Sequence, residues 1–126
     1  MSKIIAIDFG KENIGLAISD PETNIAFPFR TLKNKPEVYQ QIKDICEAEN
    51  VIQLVVGLPI NLSGQKTKTT EVVFDFIEKL KKNLGIQIKT IDERWSTAEA
   101  LKKKPKKAKN IDELSAQTIL QSYLDK

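Results

Sequence analysis

The sequence predicts an α/β protein built on a mixed five-stranded sheet, with the first three strands antiparallel and helices on both faces. Three observations lead there. The chain opens with three apolar runs joined by short turns. Helical and strand-like patterns then alternate to the C-terminus. The first run is apolar without a break, as in a strand covered on both sides.

That first strand spans 3–9 (KIIAIDF), and Gly10 to Asn13 makes a turn. Residues 14–19 (IGLAIS) read as a second strand, closed by an Asp20-Pro21 turn signal. A third strand over 24–32 contains Pro28, which points to an irregular or edge position because proline cannot donate to a ladder. Residues 36–49 form a helix with Val38, Ile42, Ile45 and Cys46 inward, and 51–56 (VIQLVV) a buried strand. After the polar loop INLSGQKTK comes an amphipathic helix over 70–83, with Val72, Val73, Phe76, Ile77 and Leu80 on its inner side. A fifth strand covers 86–91, a short helix starts near Ser96, and a last helix covers 111–124. The order βββαβαβαα contains no repeat or linker, so one domain over 1–126 is expected. Strand-helix-strand units favour parallel pairing with right-handed crossovers.

Composition narrows the chemistry. Histidine is absent, which removes Ser-His and Cys-His pairs and histidine-ligated zinc. The single cysteine, Cys46, excludes an internal disulfide and reads as a small apolar helix residue. No stretch reaches the roughly 18 apolar residues of a membrane span, and the N-terminal run is too short for a signal-peptide core. A cytoplasmic protein without membrane contact is expected. The net charge of +3 is concentrated, since KKKPKKAK at 102–109 holds six lysines; without them 14 basic residues face 17 acidic ones. Such a block suits a polyanion, though it also suits a solvated loop.

Acidic residues sit where an open α/β sheet gathers ligands, beyond the carboxyl ends of its parallel strands. Strand one ends Ile7-Asp8-Phe9-Gly10, and strand five ends Ile91-Asp92-Glu93-Arg94. Asp112 opens the last helix and shares a stripe with Ala116, Ile119 and Tyr123, so it aims inward, where packing asks for no acid. Glu113 lies nearer the edge of that face. Inward carboxylates repel each other, and a divalent cation relieves the repulsion. Oxygen ligands alone suit Mg²⁺ or Mn²⁺. Each acid has a simpler reading beside this one: a turn cap for Asp8, surface pairing with Arg94 for Asp92 and Glu93, and helix-start chemistry for Asp112.

Four segments together resemble the YqgF family, also called RuvX, of Holliday-junction resolvases and pre-16S rRNA nucleases. They are IDFGKENIGLAISD at 7–20, VVGLPINLSGQ at 55–65, DERWST at 92–97 and IDELSAQTILQSYLD at 111–125. The resemblance covers nearly the whole chain and implies an RNase H-like fold. It implies metal-assisted hydrolysis of phosphodiester bonds in structured RNA or branched DNA by a monomer or homodimer. Asp8, Glu93 and Asp112 would be catalytic, and Asp8, Asp92, Glu93 and Asp112 the metal ligands, with the choice between Asp92 and Glu93 open. Arg94 would contact phosphate or order the acids, and the Gly57-Leu58-Pro59 turn would border the substrate. Trp95 stands where the family has a smaller aliphatic residue, and Ser115-Ala116 replaces an Ala-Ala pair. The segment between Thr97 and Asp112 is shorter and richer in lysine than in the family.

Positive charge must surround such a cluster if nucleic acid is to approach. Lys66, Lys68, Arg94, Lys102, Lys103, Lys104, Lys106 and Lys107 are the candidates for phosphate contact. Two other functions compete. One is an actin-like or sugar-kinase-type ATP-binding module, which shares an Asp-x-Gly hairpin but needs a second lobe. The other is a non-catalytic nucleic-acid-binding or ribosome-assembly factor.

Overall fold

The computed structural model describes residues 3–58, 68–92 and 111–125. The strands are β1 (Lys3–Asp8), β2 (Asn13–Asp20), β3 (Ile25–Lys33), β4 (Val51–Leu58) and β5 (Gln87–Asp92). The helices are α1 (Val38–Glu49), α2 (Lys68–Asn83) and α3 (Ile111–Leu124). They form one five-stranded sheet in the order β3-β2-β1-β4-β5. β1 pairs antiparallel with β2 and β2 with β3, while β1 with β4 and β4 with β5 are parallel. The expected mixed sheet is present. The helix expected near Ser96 lies outside the described residues.

The two faces of the sheet follow from strand alternation. Ile5 and Ile7 of β1, Leu54, Val56 and Leu58 of β4, and Ile14 and Leu16 of β2 pack with Val38, Ile42, Val73, Phe76 and Leu80 of α1 and α2. Phe9 continues this side, its ring 4.8 Å from that of Phe76. The opposite face is built from Ala6, Ala17, Ala26, Val55 and Ile91, covered by Ala116, Ile119 and Leu120 of α3. Three alanines on three adjacent strands leave room for a helix to lie close against the sheet.

Pro28 behaves as its chemistry requires. β3 is an edge strand, and its register with β2 shifts between Leu16 and Ala17, opposite Arg30 and Pro28. Part of the free edge is covered from α3. Gln121 Oε1 accepts the Ala26 N–H at 2.9 Å, and Gln117 Nε2 donates to the Ala26 carbonyl at 3.0 Å. Two glutamines one turn apart thus take the place of a neighbouring strand and fix the lateral position of α3. At the β2–β3 turn the Glu22 N–H and the Thr23 hydroxyl donate to the Asp20 carboxylate, and these bonds hold its pKa below the ordinary value.

Candidate metal and nucleic-acid site

Asp8 ends β1 and is 2 % exposed. It pairs with Gly15, and Gly15 pairs with Thr31, so one row runs across β1, β2 and β3. Ala6 and Ala17 sit one alternation away and face α3, which puts the whole row on the α3 face.

The first turn of α3 comes down on this row. A Cβ built on Gly15 would lie 2.9 Å from the Asp112 Cβ and would overlap the Asp112 backbone. Position 15 therefore has to be glycine for Asp112 to reach the sheet beside Asp8. The next residue, Glu113, is anchored to the far end of the row, where its Oε2 accepts the Thr31 hydroxyl at 3.0 Å. Asp112 is half-buried, whereas Ala116, Ile119 and Leu120 below it are fully packed. The inward aim read from the helix stripe is what the helix adopts, and Glu113 turns to the edge as expected.

Asp92 behaves differently. It pairs with Leu58, which packs in the core under α1 and α2, while its neighbour Ile91 pairs with Gly57 and is buried under α3. Alternation sets Asp92 on the face away from Asp8, and it is exposed. Among the described residues, then, Asp8 and Asp112 both border Gly15 on the α3 face, and Asp92 lies on the other face. No group of three or more metal-ligating side chains occurs among the described residues.

Of the expected phosphate contacts, Lys68 is the exposed first residue of α2, close after the carboxyl end of β4. Glu93, Arg94, Lys66, Lys102, Lys103, Lys104, Lys106 and Lys107 lie outside the described residues.

A half-buried acid on the first turn of a helix, set over a glycine beside a buried strand-end acid, is a costly arrangement for packing alone. The family model for RuvX, described as a Holliday junction resolvase, matches residues 2–126. The chain belongs to the RuvX family. A protein of Sulfurihydrogenibium named "Putative pre-16S rRNA nuclease" is 36% identical over 133 residues, covering 100% of this chain and 92% of that protein. A protein of the same name from Clostridium botulinum is 37% identical over 132 residues, covering 98% and 96%. The fold is RNase H-like. The RuvC of T. thermophilus, solved with a Holliday junction substrate, superposes with a TM-score of 0.61 at 10% identity, covering 98% of this chain and 94% of that one. The Fowlpox virus resolvase, solved with Holliday junction DNA, gives 0.56 at 14% identity, covering 98% and 97%.

Sequence reading passed over Gly15, which carries the junction between helix and sheet. Its signal was present: a glycine inside an otherwise apolar strand marks a close backbone approach. RuvX membership brings with it a nuclease role.

Proposed function

We propose that this RuvX protein is a metal-dependent endonuclease that hydrolyses phosphodiester bonds in a structured nucleic acid, either the 5′ end of precursor 16S rRNA or a Holliday junction. The observation that carries the reading is the arrangement of Asp8, Gly15 and Asp112. A buried acid and a half-buried one, on different elements, both border a position kept free of side chain. Only oxygen donors are in this pair, and the chain has no histidine. That donor set fits Mg²⁺ or Mn²⁺ and disfavours softer metals.

Asp8 and Asp112 would hold the metal, and we assign Glu93 as the third carboxylate in preference to Asp92. The support is alternation: Asp92 shares its row with Leu58 on the face away from Asp8, so the acid one residue later is the better candidate. When bound, a pair of such ions supplies activation of water and stabilisation of the leaving oxygen. The chain's own groups do the rest. Asp8 provides a rigid floor because β1 is hydrogen-bonded on both sides. Asp112 provides a wall whose position depends on the Glu113–Thr31 bond and the glutamine contacts of α3. Arg94, Lys66, Lys68 and the lysines at 102, 103, 104, 106 and 107 would position the phosphate backbone without reading sequence.

No described helix is long and apolar enough to cross a membrane. A single domain spanning 1–126, acting in the cytoplasm as a monomer or homodimer, fits this reading. Symmetric incision of a junction requires two active sites and so favours the dimer, whereas trimming an RNA end does not. Sedimentation velocity together with the substrate preference decides between them.

The test offers wild type and Asp8→Asn a four-way junction and a precursor 16S rRNA 5′ end side by side, with Mg²⁺, Mn²⁺ or EDTA. Cleavage that needs metal and disappears in the variant supports the nuclease. Binding without cleavage under every metal condition overturns it in favour of a ribosome-assembly factor. ATP hydrolysis without cleavage overturns it in favour of an ATP-binding module.

A further inference from the structure

The carboxylate end of the sheet has a basic flank built around β3, from residues distant in sequence from the lysines at 102–109. Beyond Thr31, Lys33 pairs with Asn13, so it lies on the same α3 face as Asp8. Two strand spacings across and two residues along separate the Cα atoms of Lys33 and Asp8, a distance of about 12 Å from standard sheet dimensions.

Asn34 fixes what surrounds Lys33. Its backbone N–H donates to the Glu12 carbonyl at 2.9 Å, and its side-chain Nδ2 donates to the Gly10 carbonyl at 2.8 Å. These two bonds clamp the end of β3 against the β1–β2 turn, which carries Lys11. Gly10 makes that turn tight, since a Cβ there would run into the Asn13 carbonyl. The Lys35 N–H donates in turn to the Lys33 carbonyl at 2.9 Å, which curls the chain so that Lys35 stays near. Three exposed lysines are thereby gathered at the end of the sheet where Asp8 lies.

None of the three is in an ion pair among the described residues. The pairs found there are Lys3–Glu49, Lys79–Asp75 and Lys81–Glu78, all elsewhere. The neighbouring acids offer little neutralisation. Glu12 and Glu37 are exposed without an ion pair of their own, and Glu113 is bonded to Thr31. Gathering like charges by means of a partly buried asparagine raises the potential of this edge, and a polyanion relieves it.

We infer that Lys11, Lys33 and Lys35 form a phosphate-backbone clamp on the β3 side of the acids. It would hold the nucleic acid on the flank opposite Lys68, so that the substrate is gripped on both sides of Asp8. At about 12 Å across the sheet, Lys33 meets a phosphate near the cleaved bond and not the cleaved phosphate itself. The clamp rests on the nuclease reading above and adds a binding surface to it.

The test uses the full chain carrying Asp8→Asn, which removes cleavage from the readout. Fluorescence anisotropy measures its binding to a four-way DNA junction and to a precursor 16S rRNA 5′ end across a salt series. Against this parent stand the triple variant Lys11→Gln, Lys33→Gln, Lys35→Gln, the conservative Lys33→Arg, and the control Lys43→Gln on α1. The triple variant is expected to bind on the order of 10-fold or more weakly and to lose about two to three units of salt slope, one per phosphate contact. Lys43→Gln is expected to match the parent, and Lys33→Arg, which keeps the charge, is expected to retain the salt slope that the triple variant loses. Loss on one nucleic acid alone identifies which substrate the clamp serves. If the parent binds and the triple variant matches it in affinity and slope on both, the clamp is wrong while the nuclease reading stands. If the parent itself binds neither nucleic acid, the nuclease reading fails and takes the clamp with it.

Discussion

Gly15 and Asp112 are in such close contact that a methyl group at position 15 would sit 2.9 Å from the Asp112 Cβ and overlap its backbone. Gly15→Ala must therefore push the first turn of α3 off the sheet, or bend β2. Overpacking of this kind costs about 1–3 kcal/mol. Because the displaced residue is Asp112, cleavage should fall much further than the loss of folded protein explains. Urea denaturation alongside the cleavage assay measures both. Full activity in Gly15→Ala would mean that the acid pair is not the working site.

Asp112→Asn separates charge from position. The amide is isosteric, so α3 should keep its seat, and removing one of two like charges beside each other should leave stability unchanged or slightly higher. Turnover should fall on the order of 100-fold or more, since several kcal/mol of charge stabilisation depends on these ligands. If the variant unfolds instead, Asp112 is a structural residue.

The choice between Asp92 and Glu93 yields a paired prediction. Leu58, the partner of Asp92, is buried under α1 and α2, so Asp92 looks away from Asp8. Asp92→Asn should retain activity within a few-fold, whereas Glu93→Gln should abolish it. The reverse result in the metal-dependent cleavage assay would show that the chain leaves strand geometry after Asp92 in a way that swings that side chain across.

The same contrast explains what was legible in the sequence. Apolar runs and turns are local signals, so the five strands, their order of appearance and the edge position of β3 followed from them. Pro28 alone announced the edge, and the register shift beside it agrees. The stripe Asp112-Ala116-Ile119 gave the inward face of α3 because helical periodicity is local too. What the sequence did not reveal depends on which strands are neighbours. Gly15 is a partner of Asp8 only through the β1–β2 ladder, and Asp92 faces away only because its row runs through Leu58. Lys11 and Lys33 are 22 positions apart in sequence and meet through Asn34. The dense lysine block at 102–109 drew attention by composition, whereas these three needed the fold.

Cys46 provides a pH prediction that is independent of the site. Burial, and secondarily the neighbouring Glu47, pushes its thiol up to about 11 from an ordinary 9.0. A group whose pKa is raised on folding contributes stability below its unfolded pKa and loses it as pH rises through the folded value. Stability should thus be insensitive to this thiol at neutral pH and decline between about pH 9 and 11. Cys46→Ala should remove that part of the alkaline decline, as read from thermal melts across the range. A neutral buried thiol also predicts slow reaction with a disulfide reagent at pH 7 in the folded protein and fast reaction in urea. Rapid labelling of the native protein would contradict the burial.

Tyr123 tests whether the two ends of α3 have separate duties. Its hydroxyl accepts from Gln53 Nε2 at 2.6 Å, and Gln53 is buried on β4 beneath the C-terminal turns of the helix. This bond belongs to the region of α3 far from Asp112, where the helix is held to the centre of the sheet. Tyr123→Phe keeps the ring and strands the Gln53 amide without its partner, a loss of about 1–3 kcal/mol for a buried polar group. Activity per folded molecule should change little, because Glu113–Thr31 still holds the working end of the helix and the Gln117 and Gln121 contacts with Ala26 still hold its body to the sheet. Urea midpoints and turnover measured well below the transition distinguish the outcomes. A large fall in turnover with stability intact would mean that the hydroxyl reaches the reaction through the helix, and that α3 moves as one rigid lever between Gln53 and Asp8.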